Sequence, residues 1–259
     1  MTKALILAAG QGTRLRPITN DRPKCLVPLA GVTLLERQVA TLKSCGVKDI
    51  HIATGYRADQ IKAMGFETSF NARFEKTNMV ESLFSAVDFI KNCNEDLILA
   101  YGDIVYNEEN LKLLLNSNAE VSLMIDKGWH SLWSLRLENP LDDAETLVMN
   151  CENYITEIGE KPENYEKIHG QYTGLIKIRE DKLIALIEFY EALDRHAVYD
   201  SKDFDNMYMT SFIQLMIDSG WGVKATIVEN GWLEIDSVED LAIYEKCIEE
   251  GTLENFYKV

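Results

Sequence analysis

The stretch Ala8-Ala9-Gly10-Gln11-Gly12-Thr13-Arg14-Leu15-Arg16-Pro17, followed shortly by Pro23-Lys24-Cys25-Leu26, sets two glycines among closely spaced cations. Glycine lets a ligand approach the backbone with no side chain in the way, and amides turned toward one concavity hold anions. Arg14 can grip phosphate oxygens with its planar fork, and Lys24 adds a point charge. The chemistry this combination suits is phosphate binding. Gly10-x-Gly12 taken alone fits a tight turn after a strand equally well. A P-loop requires Gly-Lys followed by Ser or Thr, which is missing here. A dinucleotide fingerprint requires a third glycine where this chain has Leu15.

The rest of the chain narrows the ligand. Its 259 residues carry a net charge of −16, so a nucleic-acid partner, which needs a broad basic footprint, is excluded. Arg14, Arg16, Arg22 and Lys24 instead form a local cationic patch on an acidic protein, which suits a small anion. The five cysteines are scattered and no Cys-x-x-Cys occurs, as expected of reduced thiols in a cytoplasm. Ala4 to Ala9 is too short for a signal core, and no apolar run reaches the roughly 18 residues of a membrane span. No membrane partner is expected, and the protein is expected to be cytoplasmic.

Several elements must position the basic loop. Lys3 to Ala9 is a continuous apolar run ended by Gly10, the pattern of a buried parallel strand. Thr33-x-x-Glu36 reads as a capping box opening a helix with Leu35, Val39 and Leu42 on one face, stopped by Gly46. Strands are expected at KDIHIATG, EDLILAYGD and AEVSLMID, with helices at Ala58 to Ala63 and after Asn78-x-x-Glu81. In the latter, Val80, Leu83, Phe84, Val87 and Ile90 form one apolar stripe. Strands alternating with helices over residues 1–126 predict an α/β fold with a mainly parallel sheet. Residues 127–259 change character, with antiparallel strands in ETLVMNCENYITEIGEKP and GQYTGLIKIRE. Helices are expected at Asp181 to Leu193, Met209 to Asp218 and from Ser237 to about Glu250. Asn230-Gly231 is a hairpin signal. A single unit of residues 1–259 is expected, with a nucleotide-sized first half and a second half that closes the site.

The opening pattern resembles the L-A-A-G-x-G-T-R-L-x-P…P-K motif of the nucleotidyltransferases, which join a nucleoside triphosphate to a phosphorylated acceptor and release pyrophosphate. YGDIVY, EIGEKP, GQYTGLIKI and GWLEIDSVEDL are similar to further segments of that family, in family order, from Lys3 to about Glu249. The resemblance implies a Rossmann-like, mainly parallel central sheet with helices on both faces and a smaller mixed acceptor-binding lobe, of the nucleotide-diphospho-sugar transferase type. It implies Mg²⁺ held by Asp103 and Asp236, and catalytic cations Arg14, Lys24 and Lys161. Leu7, Ala8, Ala9, Gly10, Gly12, Thr13, Asn78, Ser82 and Gly102 would bind the nucleotide. Glu160, Tyr172 and Gly174 would face the acceptor. Each position also has a plainer reading: Asp103 as a turn residue, Asp236 as a helix N-cap, Lys161 as an exposed lysine, Glu81 as a capping partner.

Asn78-Met79-Val80-Glu81-Ser82-Leu83 departs from the G-x-A-x-A-L segment of sugar-specific members. NARFEKTNMVESLFSA is closer to the branch that activates small acceptors with CTP. That resemblance implies L-glutamine phosphate first, in capsule polysaccharide modification, with phosphocholine and 2-aminoethylphosphonate as alternatives. Sugar-1-phosphate with UTP or dTTP, and a non-catalytic nucleotide-binding module, also stay open. Trp129 and Trp133 could offer an aromatic face to an ammonium group near Asp142, Asp143 and Glu145, although paired tryptophans are more often core. Arg136 could hold an acceptor carboxylate or pair with one of these acids. A homodimer is compatible with the pattern, which does not specify it.

Overall fold

The computed structural model describes residues 2–259. β1 (Thr2–Ala8) runs into the glycine loop, the short ladder of β2 (Pro28–Leu29) and β3 (Val32–Thr33), and helix α1 (Leu34–Ser44). Next come β4 (Ile50–Thr54), α2 (Ala58–Ala63), β5 (Glu67–Phe70), α3 (Met79–Phe84), α4 (Val87–Lys91) and β6 (Asp96–Tyr101). After β7 (Ile104–Tyr106), α5 (Glu108–Leu115) and β8 (Val121–Asp126), the chain forms α6 (Trp129–Arg136), β9 (Leu147–Met149) and β10 (Ile155–Ile158). It ends with β11 (Gln171–Ile178), α7 (Leu183–Ala192), α8 (Met209–Asp218), β12 (Val223–Val228), β13 (Trp232–Glu234) and α9 (Val238–Glu249).

The seven-stranded central sheet has the order β12-β8-β11-β6-β1-β4-β5. Its pairs are parallel except where β11 runs antiparallel between β6 and β8. Successive side chains of a strand face opposite sides, and β1 shows why both sides are covered. Ala4, Ile6 and Ala8 pack with Leu35, Val39 and Leu42 of α1 and with Tyr244 of α9. Leu5 and Leu7 belong to a second core with Val80, Leu83, Ile187 and Phe212 from α3, α7 and α8. The helix-on-both-faces α/β architecture is as the sequence implies. Thr33 and Glu36 close the capping box of α1 reciprocally. Among the described residues, no helix is long and apolar enough to cross a membrane.

Three local expectations are corrected. Asn78 caps α3, but its side chain accepts from the adjacent Met79 N–H, and Glu81 does not complete a box. Glu81 instead pairs with Arg73 and accepts from the hydroxyl of buried Tyr190. The apolar stripe after Asn78 is also split, because the helix breaks at Ser85 and Ala86 into α3 and α4. Third, Asn230 and Gly231 do take left-handed backbone angles, with φ 57° and 79°, yet they do not join a hairpin. β12 pairs with β8, whereas β13 pairs with β7. Buried Asp126 explains the divergence: its carboxylate accepts from Asn230 N–H (2.7 Å) and Trp232 Nε1 (2.9 Å), steering the chain toward β7. α6 was not among the expected helices.

Candidate active site

The glycine loop leaves the C-terminal end of β1, between the ends of β4 and β6, where open α/β sheets bind ligands. Close packing explains Gly12 in the loop and Gly102 at the end of β6. A Cβ at Gly102 would meet the Leu7 carbonyl oxygen at 2.7 Å, and Gly102 N–H donates to that same oxygen at 2.9 Å. Gly12 has φ +68°, and a Cβ there would lie 2.9 Å from Lys24 Cβ, so its absence admits the lysine stem. Leu7, Ala8, Ala9, Gly10, Lys24, Ser82, Gly102 and Asp103 line one recess. Met79 and Tyr101 are shared with an adjoining cleft containing Asn78, Trp133, Asp143, Glu145, Gln171, Tyr172, Tyr208, Glu234 and Asp236.

The seam between the recesses is built by the β7–β13 ladder. Ile104 pairs with Glu234, and Ile235 N–H donates to the Asp103 carbonyl at 3.1 Å. Residues more than a hundred positions apart therefore present carboxylates to one point. Oxygens of Asp103, Glu234 and Asp236 all lie within 4.8 Å of one another. Lys24 Nζ donates to Asp103 Oδ2 at 2.6 Å and to Asp236 Oδ1 at 2.5 Å. Arg14 Nη2 approaches Asp236 Oδ1 at 3.1 Å. Arg136 donates to both oxygens of Asp240 (2.8 and 3.1 Å) and lies 3.8 Å from Asp236 Oδ2.

Charge in this cluster is unevenly shared. Burial would lower the Lys24 pKa, but Asp103, Asp236 and Glu234 outweigh it and raise it above the ordinary lysine value. Burial, then the neighbouring Asp236 and Asp103, holds Glu234 well above the usual carboxylate range. Asp236 experiences burial too, yet Lys24, Arg14 and Arg136 keep it low and ionised. Asp103 Oδ1 is buried with no hydrogen-bond partner. A hard divalent cation such as Mg²⁺ prefers carboxylate oxygen, so this donor set fits one. Glu234 was not singled out from sequence, although its spacing of two from Asp236 on an extended segment places both on one side.

The acceptor-side expectations separate in the structure. Tyr172 lines the cleft, its ring edge-on to Tyr101 at 5.7 Å. Gly174 has φ +82° at an irregularity in β11, where a Cβ would strike the Tyr101 ring at 2.7 Å. Trp129, by contrast, is buried against Trp133 and Tyr165 and does not line the cleft, whereas Trp133 does. Arg136 is committed to Asp240 and lies against the Trp133 ring, so it is not presented to an acceptor. Lys161 Nζ donates to the Leu141 and Asp142 carbonyls, both at 2.6 Å. Glu160 and Lys161 line a separate outer recess with Glu157 and Lys167. Asn78 spends its side-chain oxygen on α3, and Ser82 Oγ accepts from Asn71 at 3.1 Å. Thr13 opens a short turn that follows Gly12. Glu145 enters the cleft with its pKa pushed up to about 7, by burial first and then by Asp143 and Asp200, against Lys161.

A mainly parallel sheet with a glycine loop at its carboxyl edge, faced by a lysine and paired carboxylates, defines a nucleotidyltransferase. Residues 4–133 match the family described as the MobA-like NTP transferase domain, and the chain belongs to that family. It is 43% identical over 248 residues to the CTP:phosphoglutamine cytidylyltransferase of Campylobacter jejuni, covering 93% of this chain and 98% of that one. Over 94 residues it is 39% identical to the choline-phosphate cytidylyltransferase of Streptococcus pneumoniae, covering 35% of this chain and 41% of the relative. Among solved structures, the inositol-1-phosphate CTP transferase from T. maritima shares the fold. Its TM-score is 0.73 at 24% identity, covering 100% of this chain and 98% of that one.

Proposed function

We propose that this enzyme transfers CMP from CTP to L-glutamine phosphate, releasing pyrophosphate and forming CDP-L-glutamine in the cytoplasm for capsule polysaccharide modification. The observation that carries this reading is the near-full-length similarity to the Campylobacter jejuni enzyme. An oxygen of the acceptor phosphate attacks the α-phosphorus of CTP. The new P–O bond forms as the bond to the β-phosphate oxygen breaks, and pyrophosphate leaves. Both partners are anions, so positioning and charge neutralisation are the main tasks.

Backbone amides around Gly10 and Gly12 would hold the triphosphate, Arg14 would meet the leaving pyrophosphate, and Lys24 the α-phosphate. Asp103 and Asp236, with Glu234 beside them, would hold Mg²⁺, which when bound neutralises phosphate charge. Asn78, Ser82 and the walls at Leu7 to Ala9 would surround the nucleotide. An acceptor lying in the adjoining cleft would put its phosphate near the carboxylate seam and its far end near Glu145 and Asp143. Carboxylates there favour an amino group, and an amino acid supplies one. Lys161 would act on the acceptor side by holding the turn at Leu141 and Asp142. Choline phosphate is a second reading, favoured by the aromatic lining of Trp133, Tyr172 and Tyr208. We assign residues 1–259 to one catalytic unit and leave a homodimer as a proposal for sizing in solution.

The test is pyrophosphate release and product mass over CTP, UTP, dTTP and ATP, each against L-glutamine phosphate, phosphocholine, 2-aminoethylphosphonate and glucose-1-phosphate. The expected result is turnover in the CTP row, fastest with L-glutamine phosphate. Best turnover with phosphocholine would replace the acceptor, and turnover confined to UTP or dTTP with glucose-1-phosphate would overturn the cytidylyl reading.

A further inference from the structure

Lys24 occupies an unusual position for a group that is to meet phosphate. Its ammonium bridges Asp103 Oδ2 and Asp236 Oδ1 at 2.6 and 2.5 Å, and its side chain is only 14% exposed. These are two of the three carboxylates whose oxygens converge. The remaining Asp103 oxygen is buried and unpartnered. A buried ammonium and a divalent cation repel strongly at such short range in a medium of low dielectric, so both cannot be held by these two oxygens. The lysine stem is seated against Gly12, in the phosphate loop itself. Rotation about its side-chain bonds is then enough to carry the ammonium from the carboxylates toward a triphosphate lying on that loop.

We propose that Lys24 is a placeholder: it neutralises Asp103 and Asp236 while the nucleotide is absent, and arrival of the triphosphate draws it away and makes the carboxylates available to a divalent cation. Metal binding to the protein is thereby made conditional on nucleotide. The inference rests on the phosphate-loop reading and is independent of which acceptor is used. Arg14 supplies the internal comparison. It also pairs with Asp236, but from an exposed position and without touching Asp103.

The experiment titrates Mn²⁺ into nucleotide-free protein and reads free Mn²⁺ by electron paramagnetic resonance. Wild type is expected to bind weakly. Lys24→Met is expected to bind about tenfold more tightly or better, and Arg14→Met to gain clearly less, because linkage makes the displaced contact part of the metal's apparent affinity. Equal affinity in wild type and Lys24→Met would overturn the proposal, and so would an equal gain in Arg14→Met. Should Lys24→Met fail to fold, the thermal shift of wild type decides: little stabilisation by Mn²⁺ alone supports the placeholder, and a strong nucleotide-free shift sinks it. A parallel arm adds the α,β-methylene analogue of CTP, which should restore tight Mn²⁺ binding to wild type. Failure of the analogue to bind would count against CTP as the nucleotide, while the nucleotide-free comparison would still judge Lys24.

Discussion

Asp103 and Glu145 make different demands on their carboxyl groups. Asp103 has one oxygen on Lys24 and the other unpartnered. Asp103→Asn is expected to lower turnover about 100-fold or more, by analogy with losing one group that stabilises a transition state, and to raise the Mg²⁺ concentration for half-maximal rate. Turnover undiminished at saturating Mg²⁺ would remove Asp103 from the metal site. Glu145 is held mainly by burial at about 7 rather than at its ordinary 4.5. The fold favours its protonated form, so its stabilising contribution is present below the unfolded pKa and is lost as pH rises through 7. Glu145→Gln should therefore gain on wild type between pH 5 and pH 8, by about 1–2 kcal/mol after allowance for solvent screening. Melting curves at the two pH values check this, and an unchanged difference would contradict the burial account. That Arg14, Lys24, Asp103 and Asp236 come together was legible, because the residue types and their order carry the signal. Glu234 was signalled only by its spacing of two from Asp236, since its approach to Asp103 depends on β13 pairing with β7, and the commitment of Arg136 to Asp240 depends on how α6 meets α9.

At the level of elements, local signals were readable and partner choices were not. The capping box at Thr33 and Glu36 involves residues three apart, so its chemistry is contained in the string. Asn230-Gly231 reads as a hairpin turn, and its left-handed backbone angles do occur, but the hairpin does not form, because strand pairing is decided by groups such as Asp126, far away in sequence. α6 was obscured because Trp129 and Trp133 read in the sequence only as an aromatic face or as core packing; in the structure both are buried, with Leu132, on one helix. The irregularity of β11 between Tyr172 and Ile176 deserves a test of its own. Gly174→Ala forces a side chain onto φ +82° and into the Tyr101 ring, a local strain of about 1–3 kcal/mol. It should lower thermal stability and raise KM for the acceptor more than KM for CTP, since Tyr172 lines the cleft we propose for the acceptor. Equal changes in both constants would show that β11 does not aim Tyr172 selectively.

For the whole molecule, the decisive fact is that one sheet draws strands from both halves of the chain. β11 and β12 flank β8, and β11 also pairs with β6. Residues 1–126 alone would leave β6 and β8 without the strand between them, so a fragment ending at Asp126 is expected not to fold cooperatively. All four tryptophans lie beyond that residue, and Trp129, Trp133 and Trp232 share a core with residues of the first half, so their fluorescence follows the packing between the halves. Denaturation followed by tryptophan fluorescence and by far-ultraviolet circular dichroism should coincide in one transition; two separated midpoints would mean two folding units. The pairing also has an evolutionary consequence. The chain leaves the sheet at Asp126 and re-enters at Gln171, directly beside it, and the excursion between Ile178 and Val223 likewise begins and ends against Val121. Trp133, Asp143, Glu145 and Tyr208 ride on these two excursions, whereas the glycine loop, Asp103 and Asp236 do not. Such closed excursions behave as exchangeable cassettes: grafting them from a relative would retarget the acceptor while the chimera inherits its phosphate machinery intact.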